Sequence, residues 1–359
     1  MNPLNKYKYL DYPQAVEAIT NDTMAFNPFA HERGSRLFAF FTANLANFLP
    51  DIPYASHLPL LREWVRNQWL AWLEQGYFAG QLPIRIVGWE EALVARIREQ
   101  PGIVCTMHTG SYRLPSYLLG HARIPFALAV SRQVVRKQGA AFRSLHKRLR
   151  LPGKARMHIV EADSPGGVLA MARLLKQGYQ VLIYIDGDLG ASPVEAGNLT
   201  PTPFLGRQLL VRRGVPFLSA RLGVPIHPLL CFRREQNECL EVIAPPPIVA
   251  DGGPTEGYMA SATAAIYGAL AEQLRYRPAQ WENWPYLHRV TAAMPDDEQF
   301  AGPPDVQAAL SQLTPAHYAL FAAQGKYYLI RKVGYKTVVI DKVLYDSLME
   351  YWYGVPVDA

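Results

Sequence analysis

A histidine set at the end of an apolar run is the first residue of this chain with chemistry to offer. Ile103-Val104-Cys105-Thr106-Met107 runs into His108-Thr109-Gly110-Ser111. An apolar run of that length closed by turn formers reads as a buried parallel strand with the histidine at its carboxyl end. Val181-Leu182-Ile183-Tyr184-Ile185 runs in the same way into Asp186-Gly187-Asp188. If the two strands are parallel, both groups reach the sheet edge at which open α/β sheets bind ligands. A histidine beside a carboxylate makes a general base with its orienting partner. Gly110 allows a ligand or another backbone to come close. The plain structural alternatives are a satisfied histidine in a strand-to-helix turn and an aspartate pair that caps a loop.

The elements that must position these groups are read next. At 359 residues, 50% of them hydrophobic, the chain has material for one large α/β domain and an appendage. Residues 1–80 read as a helical lead-in, with residues 1–25 only a short prelude. From Arg36 to Phe48 the helical pattern is apolar on so many sides that protein or lipid must cover it. After Pro50-Asp51-Ile52-Pro53 comes the strongest helix, His57 to Tyr77, whose Leu61, Trp64, Val65, Trp69, Trp72 and Leu73 recur at three- and four-residue steps. That tryptophan stripe is either core or a wall for an acyl chain.

A helix over Glu90–Gln100 leads into the His108 strand. Then come an apolar stretch Ile124–Val130, a basic helix, a short strand Met157–Val160, and a helix from Gly166-Gly167 to Leu175 stopped by Gly178. Strand and helix alternate, which implies a mostly parallel sheet. Leu189–Thr202 reads as a loop over the sheet edge, Ile226–Arg233 with Glu238–Ala244 as a hairpin-like pair closing the sheet, and Tyr258–Arg275 as a helix. A boundary near Met294–Asp305 divides an α/β domain, 1–298, from a small α+β appendage, 299–359. In the appendage a short helix starts at Thr314-Pro315, Tyr327–Arg331 and Lys336–Ile340 form a hairpin about Gly334, and Asp341 caps a last helix to Trp352. So small a unit is expected to dock on the main domain.

Charge and cysteine content narrow the class. The net charge of +6 favours an anionic partner. The densest basic region, Arg132–Arg156, is spaced as a solvated helix face as well as a patch would be, and without a recognisable module no nucleic acid is expected. Cys105, Cys231 and Cys239 fit neither a disulfide framework nor a zinc site, and a reducing cytoplasm suits them. The opening residues lack a signal peptide's apolar core, and no run of about 18 apolar residues exists to span a bilayer. The expectation is a cytoplasmic protein, with peripheral contact at the inner membrane surface as the alternative.

Taken in order, these pieces resemble the lipid A late acyltransferases of the lysophospholipid acyltransferase superfamily. The resemblance runs from Asn47-Phe48-Leu49-Pro50 to Arg289. It includes the helix after that proline, the histidine after a buried strand, the strand ending in Asp186-x-Asp188, and Pro203-Phe204-Leu205-Gly206. The strand with Pro225 and Pro228 that closes in Arg233 belongs to it, as does the run Pro278-x-x-Trp281-x-x-Trp284 with Arg289 behind. It implies a glycerolphosphate-acyltransferase-like fold. In that family a histidine followed after four residues by Asp or Glu activates an acceptor hydroxyl for attack on an acyl thioester. Here that position is Arg113. An arginine cannot accept the imidazole N–H. Three readings follow: Arg113 binds an anionic group of a substrate, another acid (Asp186 or Asp188 first) orients His108, or the machinery is disabled.

The resulting expectation is an acyltransferase with His108 as base, Asp186 or Asp188 as its partner, and the Gly110 and Ser111 amides or an arginine steadying the oxyanion. Arg113, Phe204, Gly206 and Arg207 join Gly110 and Ser111 as expected substrate contacts. Arg207, Arg212 and Arg213 are candidates for the phosphates of coenzyme A or phosphopantetheine, with surface charge as the plain alternative. No tightly bound cofactor or metal is implied; the co-substrate is acyl-CoA or an acyl-carrier protein thioester, and the acceptor is a small molecule or peptide. An amine acceptor would need a weaker base than a hydroxyl. The rival readings are a catalytically silent protein of this scaffold that binds a peptide or carrier partner, and a metal-dependent transferase using Asp186 and Asp188.

Overall fold

The computed structural model describes residues 6–7, 9–78, 82–137, 139–140, 157–187, 199–234, 239–253, 255–292, 300, 302–303 and 305–355. The chain opens with three helices, α1 (Tyr12–Met24), α2 (Glu32–Phe48) and α3 (His57–Tyr77). α1 falls where only a short prelude is expected. It forms because Asp11 closes a capping box with Gln14 and Pro13 sits in its first turn. β1 (Arg85–Val87) and α4 (Glu91–Glu99) precede β2 (Ile103–Thr106), after which α5 (Leu114–His121), β3 (Phe126–Val130), β4 (Met157–Glu161), α6 (Gly167–Lys176) and β5 (Gln180–Tyr184) follow. β6 (Leu199–Phe204) and β7 (Arg207–Arg212) make a hairpin of their own. The domain closes with α7 (Gly214–Leu222), β8 (Ile226–Pro228), β9 (Leu230–Arg234), β10 (Cys239–Ile243) and α8 (Glu256–Leu274).

Five strands pair in the order β4-β3-β5-β2-β8, each pair parallel. The fold is α/β, a parallel sheet flanked by helices. Both faces are buried, which is why the strands read as unbroken apolar runs. Ile103, Cys105 and Val181 face a core built with Phe38, Phe41, Phe48 and Trp64 of α2 and α3 and with Ile266 and Leu270 of α8. Val104, Leu128 and Leu182 face the opposite core, with Leu114 and Leu118 of α5 and Leu240 of β10. All three cysteines are buried free thiols.

Two expected elements are arranged otherwise. Ile226–Arg233 is not one strand: β8 ends at Pro228 as the edge of the parallel sheet, and the chain continues into β9, which pairs antiparallel with β10 in a second sheet, β1-β10-β9. The part of the expected loop that is described, from Leu199 on, is strand β6. Its Pro201 and Pro203 are exposed while Thr200, Thr202 and Phe204 are buried, and a two-stranded sheet leaves an outer edge where proline is tolerated. Most of the basic stretch, 141–156, and residues 188–198 lie outside the described residues.

The appendage contains α9 (Val306–Gln312), the antiparallel sheet β11 (Tyr318–Ala323), β12 (Lys326–Arg331) and β13 (Lys336–Ile340), and α10 (Lys342–Tyr353). The helix lies before Thr314, not from it, capped by Asp305, and β11 occupies the following residues. Asp341 caps α10 as expected. The apolar excess of α2 is explained in part by this unit: Ala39 and Ala43 pack against Ala319, Phe321 and Ile330, while Phe40 stacks at 4.1 Å on His288, which precedes the unit. Protein covers both sides of that helix. Among the described residues no helix is long and apolar enough to cross a membrane.

Lys332, between β12 and β13, is fully buried where the appendage meets the main domain. Its ammonium donates to the Pro315 carbonyl at 2.6 Å and lies 4.2 Å from the Tyr54 ring centroid; among the described residues no carboxylate pairs with it. Burial pulls its pKa down to about 7. Between about pH 7 and its ordinary value the folded chain therefore holds fewer protons than the unfolded one, and stability rises with pH across that window. Lys332→Met is expected to stabilise the protein by about 1–4 kcal/mol near pH 7. Thermal melts from pH 6 to 9.5 check this: the gain should shrink as pH rises.

Candidate active site

Strand register brings the histidine and the acid together. β2 and β5 are neighbours, with Thr106 opposite Tyr184. His108 and Asp186 each lie two residues beyond that pair, so they emerge side by side at the carboxyl edge. The Asp186 carboxylate Oδ1 accepts from His108 Nδ1 at 2.8 Å, and Oδ2 accepts from the His108 backbone N–H at 2.9 Å.

Asp186 is fully buried and held by three further contacts. The Trp281 indole donates to Oδ2 at 2.8 Å, and the Asn283 amide donates to Oδ2 at 2.9 Å and to the Asp186 carbonyl at 3.0 Å. With its oxygens taken by hydrogen-bond donors, this carboxylate orients the imidazole and does not present itself as a cation ligand. Because it accepts from Nδ1, that nitrogen carries the ring proton and Nε2 holds the lone pair. Among the described residues nothing bonds to Nε2, and a quarter of the His108 side chain is exposed. Asp188 lies outside the described residues.

Burial alone would lower the pKa of His108. The charge and hydrogen bond of Asp186 outweigh it, with Glu282 adding to them and Arg113 opposing, so the value is raised above that of an ordinary histidine. Burial alone would raise Asp186, but the His108 charge and hydrogen bond, the Trp281 indole and the His108 amide hold it below the usual carboxylate range. The ring lies against two tyrosines, 4.9 Å from the Tyr112 centroid and 4.7 Å from that of Tyr184. Tyr184 is itself fixed by donating to the Tyr112 carbonyl at 2.7 Å, and burial raises both phenols, so they remain protonated.

The loop 108–110 is clamped by residues 280–282. Thr109 and Trp281 form an antiparallel bridge, the Glu282 amide donates to the His108 carbonyl at 2.9 Å, and the Gly110 amide donates to the Gln280 carbonyl at 2.8 Å. That last bond corrects one expectation: the Gly110 amide is occupied and is not an oxyanion donor. Gly110 serves the other purpose foreseen for it, close approach of a second backbone. A Cβ there would lie 2.7 Å from the Cys231 carbonyl oxygen and 2.9 Å from the Phe232 Cα, at φ +47°. Gly110→Ala is expected to cost about 1–3 kcal/mol by forcing the loop off β9. A lowered melting temperature is the check.

The other expected site residues separate into two groups. Ser111 and Arg113 stay close to the histidine: among the described residues the buried Ser111 hydroxyl has no partner, and Arg113 stands at the N-cap position of α5, its guanidinium 3.8 Å from the Trp72 ring centroid and 4.4 Å from that of Tyr112. One tryptophan of the α3 stripe is thus at the site, while Trp64 is core and donates to the Trp281 carbonyl at 2.8 Å. Phe204, Gly206 and Arg207 have scaffolding places instead. Leu205 and Gly206, both at positive φ, make the two-residue turn between β6 and β7. Phe204 is buried 5.4 Å from the Trp281 ring, behind the indole that holds Asp186, and Arg207 donates to the Asn47 carbonyl at 3.2 Å. Arg213 forms a two-pronged pair with Glu256 at 2.6 and 2.8 Å, which engages the guanidinium expected to meet a coenzyme phosphate.

Sequence reasoning assigned no site role to Asn283, Gln280 or Glu282 and took Trp281 only as part of the run Pro278-x-x-Trp281-x-x-Trp284. The signal for them was the dense run Gln280-Trp281-Glu282-Asn283, four hydrogen-bonding residues in a segment flanked by proline. Behind them a second buried pair, Arg233 with Glu74 and Tyr12 beside it, ties β9 to α3 and α1.

No protein-family model matches the chain, and no curated protein matches it in sequence. Among solved structures the chain is similar to the 1-acyl-sn-glycerophosphate (LPA) acyltransferase PlsC from Thermotoga maritima, at 12% identity and a TM-score of 0.35, over 67% of this chain and 96% of that one.

Proposed function

We propose that the protein is an acyltransferase that moves an acyl group from a thioester, carried by coenzyme A or an acyl-carrier protein, to a hydroxyl or amine acceptor. The observation that carries the reading is the buried Asp186 carboxylate bonded to His108 Nδ1, with Nε2 left open at the sheet edge. Such a ring takes a proton from an attacking nucleophile, and the carboxylate stabilises the imidazolium that forms. Arg113, which stands where the resembled family carries its acid, does not leave the base without a partner under this reading, because Asp186 supplies the contact. Asp186 is then a positioning residue, and Trp281 and Asn283 hold it in turn. The order of motifs from Asn47 to Arg289 supports the same assignment.

The test is thiol release and acyl-product formation by the purified chain, with acyl-CoA and acyl-carrier protein donors of several lengths and a panel of hydroxyl and amine acceptors. Thioester-dependent product that requires His108 is expected. An intact fold without any turnover, together with tight binding to a carrier or peptide, would establish the silent binding protein instead.

A further inference from the structure

A buried arginine and a half-buried glutamate flank the histidine and do not pair with each other. Arg113 is only 7% exposed, and among the described residues its buried Nη1 has no hydrogen-bond partner. Its flat faces are taken by Trp72 and Tyr112, so the aromatic contacts hold the guanidinium in place while its N–H edge stays unfilled. Among the described residues no acid pairs with it. Glu282 is the converse case: the side chain is half-buried, its backbone N–H is bonded to the His108 carbonyl, and among the described residues its shielded Oε2 has no partner. Both charges act on the His108 ring, in opposite senses, and both act on the Tyr112 phenol. A buried charge left without a partner is costly, and such groups persist in native proteins chiefly where a ligand completes them.

We infer that Arg113 and Glu282 form the acceptor site, and that the acceptor is a small amine carrying a carboxylate, an amino-acid-type molecule. The guanidinium takes the carboxylate through its open edge. Glu282 takes an N–H of the amine and holds the nitrogen beside His108 Nε2. This rests on the acyl-transfer reading and specifies its acceptor. An acceptor arriving as an ammonium first gives its extra proton to solvent. The neutral nitrogen then forms a C–N bond to the thioester carbonyl carbon, the C–S bond breaks, and His108 takes one N–H proton and passes it to the departing sulfur. The products are an N-acyl amino acid and a free thiol. The arginine, which departs from the resembled family's acid, becomes the residue that selects the substrate.

The experiment compares matched acceptors with the full-length chain and an acyl-CoA donor: free amino acids, the same amino acids with the carboxylate capped as an amide, and glycerol 3-phosphate as a hydroxyl acceptor that carries phosphate. Free amino acids are expected to be N-acylated, with kcat/KM about 100-fold above that of the capped forms. In Arg113→Gln that ratio should collapse towards one. The wild-type comparison stands even if the variant does not fold. Equal rates for free and capped acceptors, or transfer only to glycerol 3-phosphate, would overturn this inference while His108-dependent turnover kept the acyl-transfer reading intact. No thioester turnover with any acceptor would overturn both.

Discussion

His108→Ala is expected to lower thioester-dependent acyl transfer by about 10²- to 10⁴-fold without unfolding the protein. Among the described residues the ring is the only group at this edge whose free nitrogen lone pair is set by a buried acid, so none of these neighbours replaces it. Tyr112 and Tyr184 stay protonated and Arg113 accepts nothing. The fold should survive, because Asp186 keeps the His108 backbone amide, Trp281 and Asn283 as donors when the imidazole is gone. Initial rates with saturating donor, alongside circular dichroism and a thermal melt, measure the two effects separately. Unchanged turnover in a folded variant would remove His108 from the reaction.

Asp186→Asn carries the second large effect, and it acts through the histidine's tautomer. Three donors converge on Oδ2 and one on Oδ1. An asparagine has one acceptor oxygen, and the three donors claim it, so its NH2 faces His108 Nδ1. The ring then places its lone pair on Nδ1 and its proton on Nε2, which is the wrong arrangement for a base. By analogy with the equivalent change in a Ser-His-Asp triad, a loss of about 10⁴-fold is expected. The pH profile distinguishes this from simple damage. In the wild type, turnover should rise with pH through the raised His108 pKa, since only the neutral ring accepts a proton. In the variant the charge that raises it is gone, so the residual rising limb should move to lower pH. The pair also links folding to pH. Asp186 contributes stability above the usual carboxylate range that is lost as pH falls through its depressed value, and His108 contributes stability below the ordinary histidine range that is lost as pH rises through its raised one. Both contributions should be absent from the melts of Asp186→Asn.

Much of the architecture was legible because it rests on local chemistry. A three- and four-residue apolar period marks α3 from His57 to Tyr77, the Asp341 cap marks the start of α10, and short apolar runs closed by turn formers mark β2 and β5. The errors have an equally physical origin. α1 lacks a strong apolar stripe and is declared mainly by a capping box. β6 alternates threonine with proline and reads as a loop until a partner strand and α8 cover one face of it. The strand after Pro225 was read as continuous because nothing local announces that β8 and β9 serve different sheets.

The sequence by itself determined which reactive groups stand at the ends of buried strands, since the apolar runs, the turn residues after them, and His108 and Asp186 are all local features. Their pairing, the two-residue offset from a shared register, the four donors around one carboxylate, and the clamp of residues 280–282 on 108–110 were decided only by the tertiary structure. So was the place of Arg113, set against rings from α3 and its own neighbour with no acid among the described residues to meet it. Hydrogen bonds between groups 78 to 97 positions apart leave no periodicity in the chain; they exist only once burial has removed water and made an unpaired polar group costly.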